Sequence, residues 1–523
     1  MAARPQHVRI QASRAPTGRT GVIAAALGAV SLLSACAVGP DFKPPEAPAG
    51  ADYTPTPLPP ATDSAKVHGG EAQRFALGHD IQFDWWTLFK SPALDALVQQ
   101  AFKANPTIPA AEAALKQAQE YVYAQRGFFF PTVQAGYSGT NQQIAGNMAG
   151  NSSPGYQGSG NYIGPTYNGQ PVVYTFHTAQ LTVGFTPDVF GLNIRTVESL
   201  QAQADNQRFQ LEATYITLAS NVVAAALQEA STRAQIAATK EIIRVNQEGL
   251  DILKHQQRVG YAMGIDVAAQ QAALAAAQAL LPPLEKQYEQ TRDLIRALVG
   301  NLPNQDVPQT FELDTIQLPE ELPVSLPSAL VEQRPDIRAA EENLHSASAQ
   351  VGVAIANMLP QFNITAGAGG TASVLGQLFS PGGPFWNLGW GVTQPLFDGF
   401  TLLHKRRAAD QALIQAEAQY RSTVITAFQN VADTLHAVVS DSTALRAAVD
   451  AEQAAKVTLD LTEKQQKSGY VNYLTLLQAI QAYQTAVSTR VQAQVTRFGD
   501  AAALYQALGG GWWHREEQKV ASR

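Results

Sequence analysis

The chain has 523 residues, 45% hydrophobic and 15% charged, enough to bury a core and long enough for several domains. A formal net charge of −7 without a basic patch argues against nucleic-acid binding. The single cysteine, Cys36, excludes an intramolecular disulfide or a cysteine metal cluster. The nine histidines never come within five positions of one another, so no His-x-x-x-His metal pattern exists.

Residues 1–35 carry Arg4, Arg9, Arg14 and Arg19 and no acid, followed by an apolar run from Gly21 to Leu33. That run is too short for an ordinary transmembrane helix and reads as a secretory signal. It ends in Leu33-Ser34-Ala35-Cys36, which resembles a bacterial lipobox whose cysteine receives diacylglycerol and becomes the mature N-terminus. Ala37 is not the Asp typical of inner-membrane retention, so the outer membrane is implied. Removal of residues 1–35 would take the net charge from −7 to −11. Residues 36–83 are expected to form a lipidated tether. From Val38 to Ala61, Pro and Ala dominate, with Pro44-Pro45 and Pro59-Pro60, which favours an extended segment without its own core.

The pair Trp85-Trp86 is expected to anchor the N-terminal segment onto the body. Ser91-Pro92 then supplies an N-cap and an N1 proline for a helix. From Gly127 to Pro187 no Lys, Arg, Asp or Glu occurs across 61 residues, and from Asn343 to Phe397 none occurs across 55. In each window the period changes to two after Pro131 or Pro360. Strands are expected at about 131–141 and 175–187, and again at about 360–372 and 385–397. One face is apolar, with Tyr137, Phe185, Phe362, Trp386 and Trp390 as candidate lipid-facing residues, and the other is small and polar. That alternation is the pattern of a transmembrane β-barrel strand. Gly139–Pro171 and Ser373–Pro384 read as surface loops. Four strands cannot close a barrel in lipid, so the chain must oligomerise, with eight strands in a dimer or twelve in a trimer.

Two long rods follow the windows. Phe400–Lys467 has no Gly or Pro in 68 residues, and Leu192–Val259 is equally long with only Gly249. Each could run about 100 Å as one helix. Val424, Phe428, Val431, Leu435 and Val438 are spaced four, three, four, three, a seam for a neighbouring helix. Turns at Gly260 and Gly469 lead to shorter helices at 264–299 and 471–508, capped near Gly300 and Gly509, with a kink expected at Pro282-Pro283. Asn301–Pro327, with five prolines, links the halves. Trp512-Trp513 and the tail to Arg523 carry no assigned function.

The halves repeat one unit. Pro106 and Pro131 match Pro335 and Pro360 at an offset of 229, and Gly260-Tyr261 and Val299-Gly300 match Gly469-Tyr470 and Leu508-Gly509 at 209. The expected organisation is residues 84–325 as the first copy, 326–511 as the second and 512–523 as a tail. No constellation for catalysis, metal or cofactor binding is present. Gly367–Ala372 fits a G-x-G-x-x-A spacing inside a strand, without the helix such a motif needs. Glu341-Glu342 are expected on a solvated helix face.

Five stretches resemble the outer-membrane efflux factors of the TolC type, in their lipoprotein branch. They are Cys36-Ala37-Val38-Gly39-Pro40-Asp41-Phe42-Lys43-Pro44-Pro45, the Trp85-Trp86 block, Leu326-Pro327-Ser328 with Arg334-Pro335-Asp336-Ile337-Arg338-Ala339-Ala340-Glu341, Gln394-Pro395-Leu396-Phe397-Asp398-Gly399, and Tyr473-Leu474-Thr475-Leu476-Leu477. The resemblance implies an α+β membrane protein: a homotrimer with a twelve-stranded transmembrane β-barrel, four strands per chain, continued by a long periplasmic α-helical barrel. It implies docking onto a periplasmic adaptor and an inner-membrane RND-type transporter, with passive export of drugs or other small toxic compounds and no cofactor. The family's periplasmic aperture corresponds to Gly260, Asp266, Gly469, Tyr470 and Gln478. Where the family often has Asp after the two leucines this chain has Gln478, which leaves Asp266 as the nearest carboxylate and predicts weak cation preference. A type I protein-secretion channel would share this architecture. A periplasmic coiled-coil scaffold lipoprotein would leave the charge-free windows unexplained.

Overall fold

The computed structural model describes residues 37–48, 52–144 and 172–515. Cys36, the signal segment, most of the Gly139–Pro171 loop and the tail from 516 lie outside them. The described residues divide into two compact units: those within 1–42, 120–201 and 346–413 form the first, and those within 43–119, 202–345 and 414–523 the second.

In chain order the elements are β1 (Arg74–Leu77), α1 (Pro92–Ala104), α2 (Thr107–Arg126), β2 (Thr132–Ile144), β3 (Val172–Phe185), α3 (Leu192–Arg258) and α4 (Gly264–Leu298). Then follow β4 (Glu321–Val324), α5 (Pro327–Gln333), α6 (Pro335–Ala356), β5 (Gln361–Ala372), β6 (Pro384–Thr393), α7 (Thr401–Lys467) and α8 (Tyr473–Ala507). The two rods are each 67 residues and the two shorter helices 35 residues, so the duplication is carried into lengths as well as motifs.

The first unit holds an antiparallel sheet in the order β2-β3-β5-β6. β2 and β3 reach three residues further than the sequence indicates, because Ile144 still pairs with Val172. β6 stops at Thr393, four residues short of the expected end. There the Gln394 side-chain amide donates to the Met358 and Pro395 carbonyls, and Pro395 has no N–H for a ladder.

The second unit is built on helix packing. Val431, Leu435 and Val438 of α7 are fully buried with Leu218, Val222 and Val223 of α3, Val495 and Phe498 of α8, and Leu94, Leu97 and Val98 of α1 in one core. Phe428, expected in the α7 seam, lies at its margin, and Ala427 takes the buried position. Trp85 stacks on Tyr505 with ring centroids 5.3 Å apart, and the Trp86 indole N–H donates to Asp95 at 2.9 Å.

Two expectations do not hold. Residues 52–83 are not a bare tether. Tyr53 packs on Phe428 and donates to the Ser325 carbonyl, and β1 pairs in parallel with β4, Arg74 opposite Glu321. Glu341 is buried and bonded to Arg338 at 2.6 Å. Burial pushes the pKa of Glu342 up, so this pair is not a solvated face. Pro282-Pro283 lie inside one uninterrupted helix. The carbonyls of Gln278 and Ala279, which lose their N–H donors to proline, sit on an exposed stretch where water can satisfy them.

The matched blocks Asn105-Pro106 and Arg334-Pro335 have one physical job. The Asn105 amide donates to the Leu298 carbonyl at 2.8 Å, and Arg334 donates to the Ala507 carbonyl at 2.8 Å. Each closes the C-terminus of a 35-residue helix, where backbone carbonyls lack partners. The C-terminal tryptophans tie the same region together: Trp512 donates to the Gln333 carbonyl and Trp513 to Asp80. Trp85→Ala should cost about 3–5 kcal/mol through cavity formation, read as a lowered thermal unfolding midpoint of the solubilised protein.

Candidate functional site

The sheet has two chemically different faces. Strand register places Val133–Val183–Ala366–Leu388, Ala135–Leu181–Ala368–Trp386 and Phe185–Ile364–Trp390 in rows on one face. Thr132–Gly184–Thr365–Gly389 and Gln134–Thr182–Gly367–Asn387 form rows on the other. Neither face carries an Asp, Glu, Lys or Arg from these strands.

All five aromatic residues singled out from sequence lie on the apolar face. Trp386 and Trp390 are 79% and 84% exposed, Tyr137 is exposed, and Phe185 and Phe362 are half-buried. Phe362 meets the Phe190 ring at 6.4 Å. His177, which sequence reasoning passed over, shares this face by its odd position in β3. Its ring stacks on Tyr137, and the two are hydrogen-bonded, Tyr137 Oη to His177 Nδ1, at 2.9 Å. The pair thereby satisfies one polar atom of each ring on an apolar surface. Among the described residues β2 pairs only with β3 and β6 only with β5. Each therefore presents an edge of backbone N–H and C=O groups.

The turns of the two repeats match in their hydrogen bonding. Gly260 has φ +81° and Gly469 φ +79°, values that a residue with a Cβ rarely adopts. Tyr261 N–H donates to Gln256 and Tyr470 N–H to Gln465, at 2.8 and 2.9 Å, so both rods end in the same left-handed cap. Tyr261 and Tyr470 are 86% and 84% exposed, the former beside exposed Met263 and Ile265. Asp266 is not the counterpart of Gln478. It occupies the third position of α4, and its carboxylate accepts from the Met263 N–H at 3.2 Å, capping its own helix. The third position of α8 is Thr475, where Asn472 provides the cap. Gln478 is exposed one turn further along, between buried Leu477 and Ala479.

Within the second unit, α7 and α8 bring Asp441 and Asp500 together. Burial first, then a hydrogen bond and charge repulsion from Asp441, push Asp500 from 3.8 up to about 7. Arg497, one turn earlier on α8, faces residues 62–71, donating to Thr62 Oγ1 at 3.0 Å and to the Glu71 carbonyl. Spacing along α7 and α8 gave no hint that these carboxyls meet.

Residues 97–301 and 326–510 match the sequence profile of the family described as outer membrane efflux protein. The toluene efflux pump outer membrane protein TtgC of a Pseudomonas putida strain is 28% identical over 492 residues, covering 93% of this chain and 95% of that protein. The pyoverdine export outer membrane protein OpmQ of Pseudomonas aeruginosa is 27% identical over 471 residues, covering 88% and 94%. Among solved structures, the outer-membrane channel OprN superimposes with a TM-score of 0.78 at 24% identity, over 91% of this chain and 100% of OprN, and shows the same fold.

Asp500, buried beside Asp441, sets a pH dependence. Folding raises the Asp500 pKa, so the folded state binds more protons than the unfolded state between 3.8 and about 7. The contribution is full below that window and is lost as pH rises through it. Asp500→Asn should remove this slope, flattening the thermal midpoint between about pH 5 and about pH 8.

Proposed function

The chain belongs to the outer membrane efflux protein family, and on that premise we propose that three copies form one channel, the exit duct of a pump spanning both membranes. The observation that carries this reading is the four-stranded sheet with an exposed apolar face, a polar face and two unpaired edges. Lipid offers no hydrogen bonds, so those edges must be closed by other copies. Joining β6 of one copy to β2 of the next closes twelve strands after three. The aromatic face then meets outer-membrane lipid, and the glycine, threonine and amide face lines water.

The lining contributed by the sheet has no charged side chain, so passage through it is governed by width and hydrogen bonding rather than by a fixed field. Cargo then moves passively, and an inner-membrane RND-type transporter supplies the energy through a periplasmic adaptor. The relatives' names include toluene and pyoverdine, and small exported compounds are the cargo class that fits a duct making no specific contacts. The exposed twin turns with Tyr261 and Tyr470 are the periplasmic end of this duct, and Gln478 belongs to its lining there. Cys36 is read as the acylated residue, anchoring the chain in the outer membrane.

Native mass of the protein extracted from outer membranes in mild detergent should correspond to three chains, and a stable monomer would sink the barrel. In single-channel recordings Gln478→Asp should raise cation over anion preference, since a ring of carboxylates adds a field that amides lack. Unchanged selectivity would remove Gln478 from the aperture.

A further inference from the structure

The segment immediately after Cys36 is fitted into the first unit more closely than a tether requires. Arg195, in the first turn of α3, is buried, with its side chain 6% exposed. Its Nε donates to the Val38 carbonyl at 3.1 Å, and its Nη2 donates to Asp41 at 2.7 Å and to the Gly39 carbonyl at 3.5 Å. Nη1 is held by Glu198 at 2.8 Å, which aims the guanidinium at the segment. The Val38 N–H donates to the Phe190 carbonyl at 3.1 Å.

Shape matches charge. Gly39 has φ +103°, and a Cβ there would lie 2.4 Å from Gly352 Cα. A Cβ on Gly352 would in turn lie 2.9 Å from the Val38 carbonyl and from Arg195 Cγ. Gly191, with φ +77°, leaves room for Ala37, whose Cα lies 2.6 Å from where a Cβ would stand. Three glycines and a buried arginine thus accommodate the chain from Ala37 to Asp41, which bends at Gly39. Ordering that chain costs conformational entropy, which bonds to a charged donor offset.

We propose that Arg195 is a positioning residue for the membrane anchor, docking Ala37–Asp41 so that the chain from residue 36 emerges at one end of the sheet's apolar face. The location follows from Phe190, whose carbonyl holds Val38 and whose ring meets Phe362 on that face. Residue 36 is joined to Ala37 with a Cα spacing of about 3.8 Å. An acyl chain on it enters lipid beside Phe362 and Phe185, in register with the lipid-facing band rather than at the end of a free leash. The ligand of this dock is the protein's own segment Ala37–Asp41, recognised through two carbonyls and one carboxylate.

The inference rests on reading Cys36 as the lipid site, and the two can be tested apart. In the full chain, Pro40→Cys introduces the one free thiol when Cys36 is acylated. A nitroxide placed there, in outer-membrane vesicles, reports segment mobility by its spectral line shape, while the mass of the N-terminal peptide reports acylation. The label should be immobilised in the parent chain. Arg195→Ala should raise the ratio of mobile to docked label by at least roughly tenfold, the loss expected for several charge-assisted bonds. Gly39→Ala, a change in the segment itself that leaves the helices intact, should do the same. Arg195→Lys, which keeps the charge opposite Asp41 without the fork for both carbonyls, should be intermediate. Acylation and native mass should not change in any of them. A mobile label in the parent, or an immobilised one in both Arg195→Ala and Gly39→Ala, would overturn the dock. An N-terminal peptide of unacylated mass would overturn the anchor role, and the same label in a Cys36→Ser chain would then measure docking alone.

Discussion

The demand that every backbone N–H and C=O find a partner in hydrocarbon is the constraint on which this protein depends. A sheet of four strands meets it everywhere except along β2 and β6, the two outer strands of the order β2-β3-β5-β6. The inner pairing of β3 with β5, Phe185 opposite Ile364, joins the two repeats, so neither hairpin faces lipid alone. An isolated hairpin has two edges and marginal stability. Joining two hairpins in one sheet cuts the number of edges left for assembly to close by half. The duplication therefore has a thermodynamic reason as well as a geometric one.

In the second unit the same accounting is applied to helix ends. Long helices leave carbonyls unpaired at their C-termini, and here side chains from another element of the repeat supply the donors. Asn105 serves Leu298 and Arg334 serves Ala507, positions that correspond in the two copies. One copy uses a neutral amide and the other a guanidinium that also pairs with Asp336 at 2.7 Å. The copies differ in chemistry and share the bond, as expected when backbone satisfaction outweighs the identity of the donor. Elsewhere the unit buries one arginine among paired groups. Arg292 is held by Glu229, Asp306 and the Gln309 carbonyl, and leaving any of these charges unpaired would be costly.

The segment from Ala37 to Asp41 extends this logic to the first unit. Arg195 satisfies two carbonyls of a stretch that has no ladder of its own. Pro40 cannot donate, and the glycines on either side of the contact remove the side chains that would hold the backbone away. What composition presents as a proline-rich leash is, from Val38 to Asp41, a strap fitted around Arg195.

Much of the fold was legible because its signals are local. Alternation of Phe362, Ile364, Ala366 and Ala368 with polar neighbours is a property of strand geometry, and such alternation placed five aromatic residues on one face. The left-handed caps at Gly260 and Gly469 follow from glycine's access to positive φ. Contacts between residues far apart in the chain left no such trace. β1 pairing with β4, Tyr53 resting on Phe428, the burial of Glu341, and the meeting of Asp441 with Asp500 join positions that no short period connects. The capping role of Asp266 was hidden for a related reason: a carboxylate's role depends on which backbone N–H it faces, and only the placed helix start at Gly264 reveals that. Sequence alone determined the strands, the rods, the turns and the need for other copies, since period, glycine and charge act within a few residues. Tertiary structure decided which polar groups are buried and what holds the N-terminal segment, since burial depends on the partners that packing supplies.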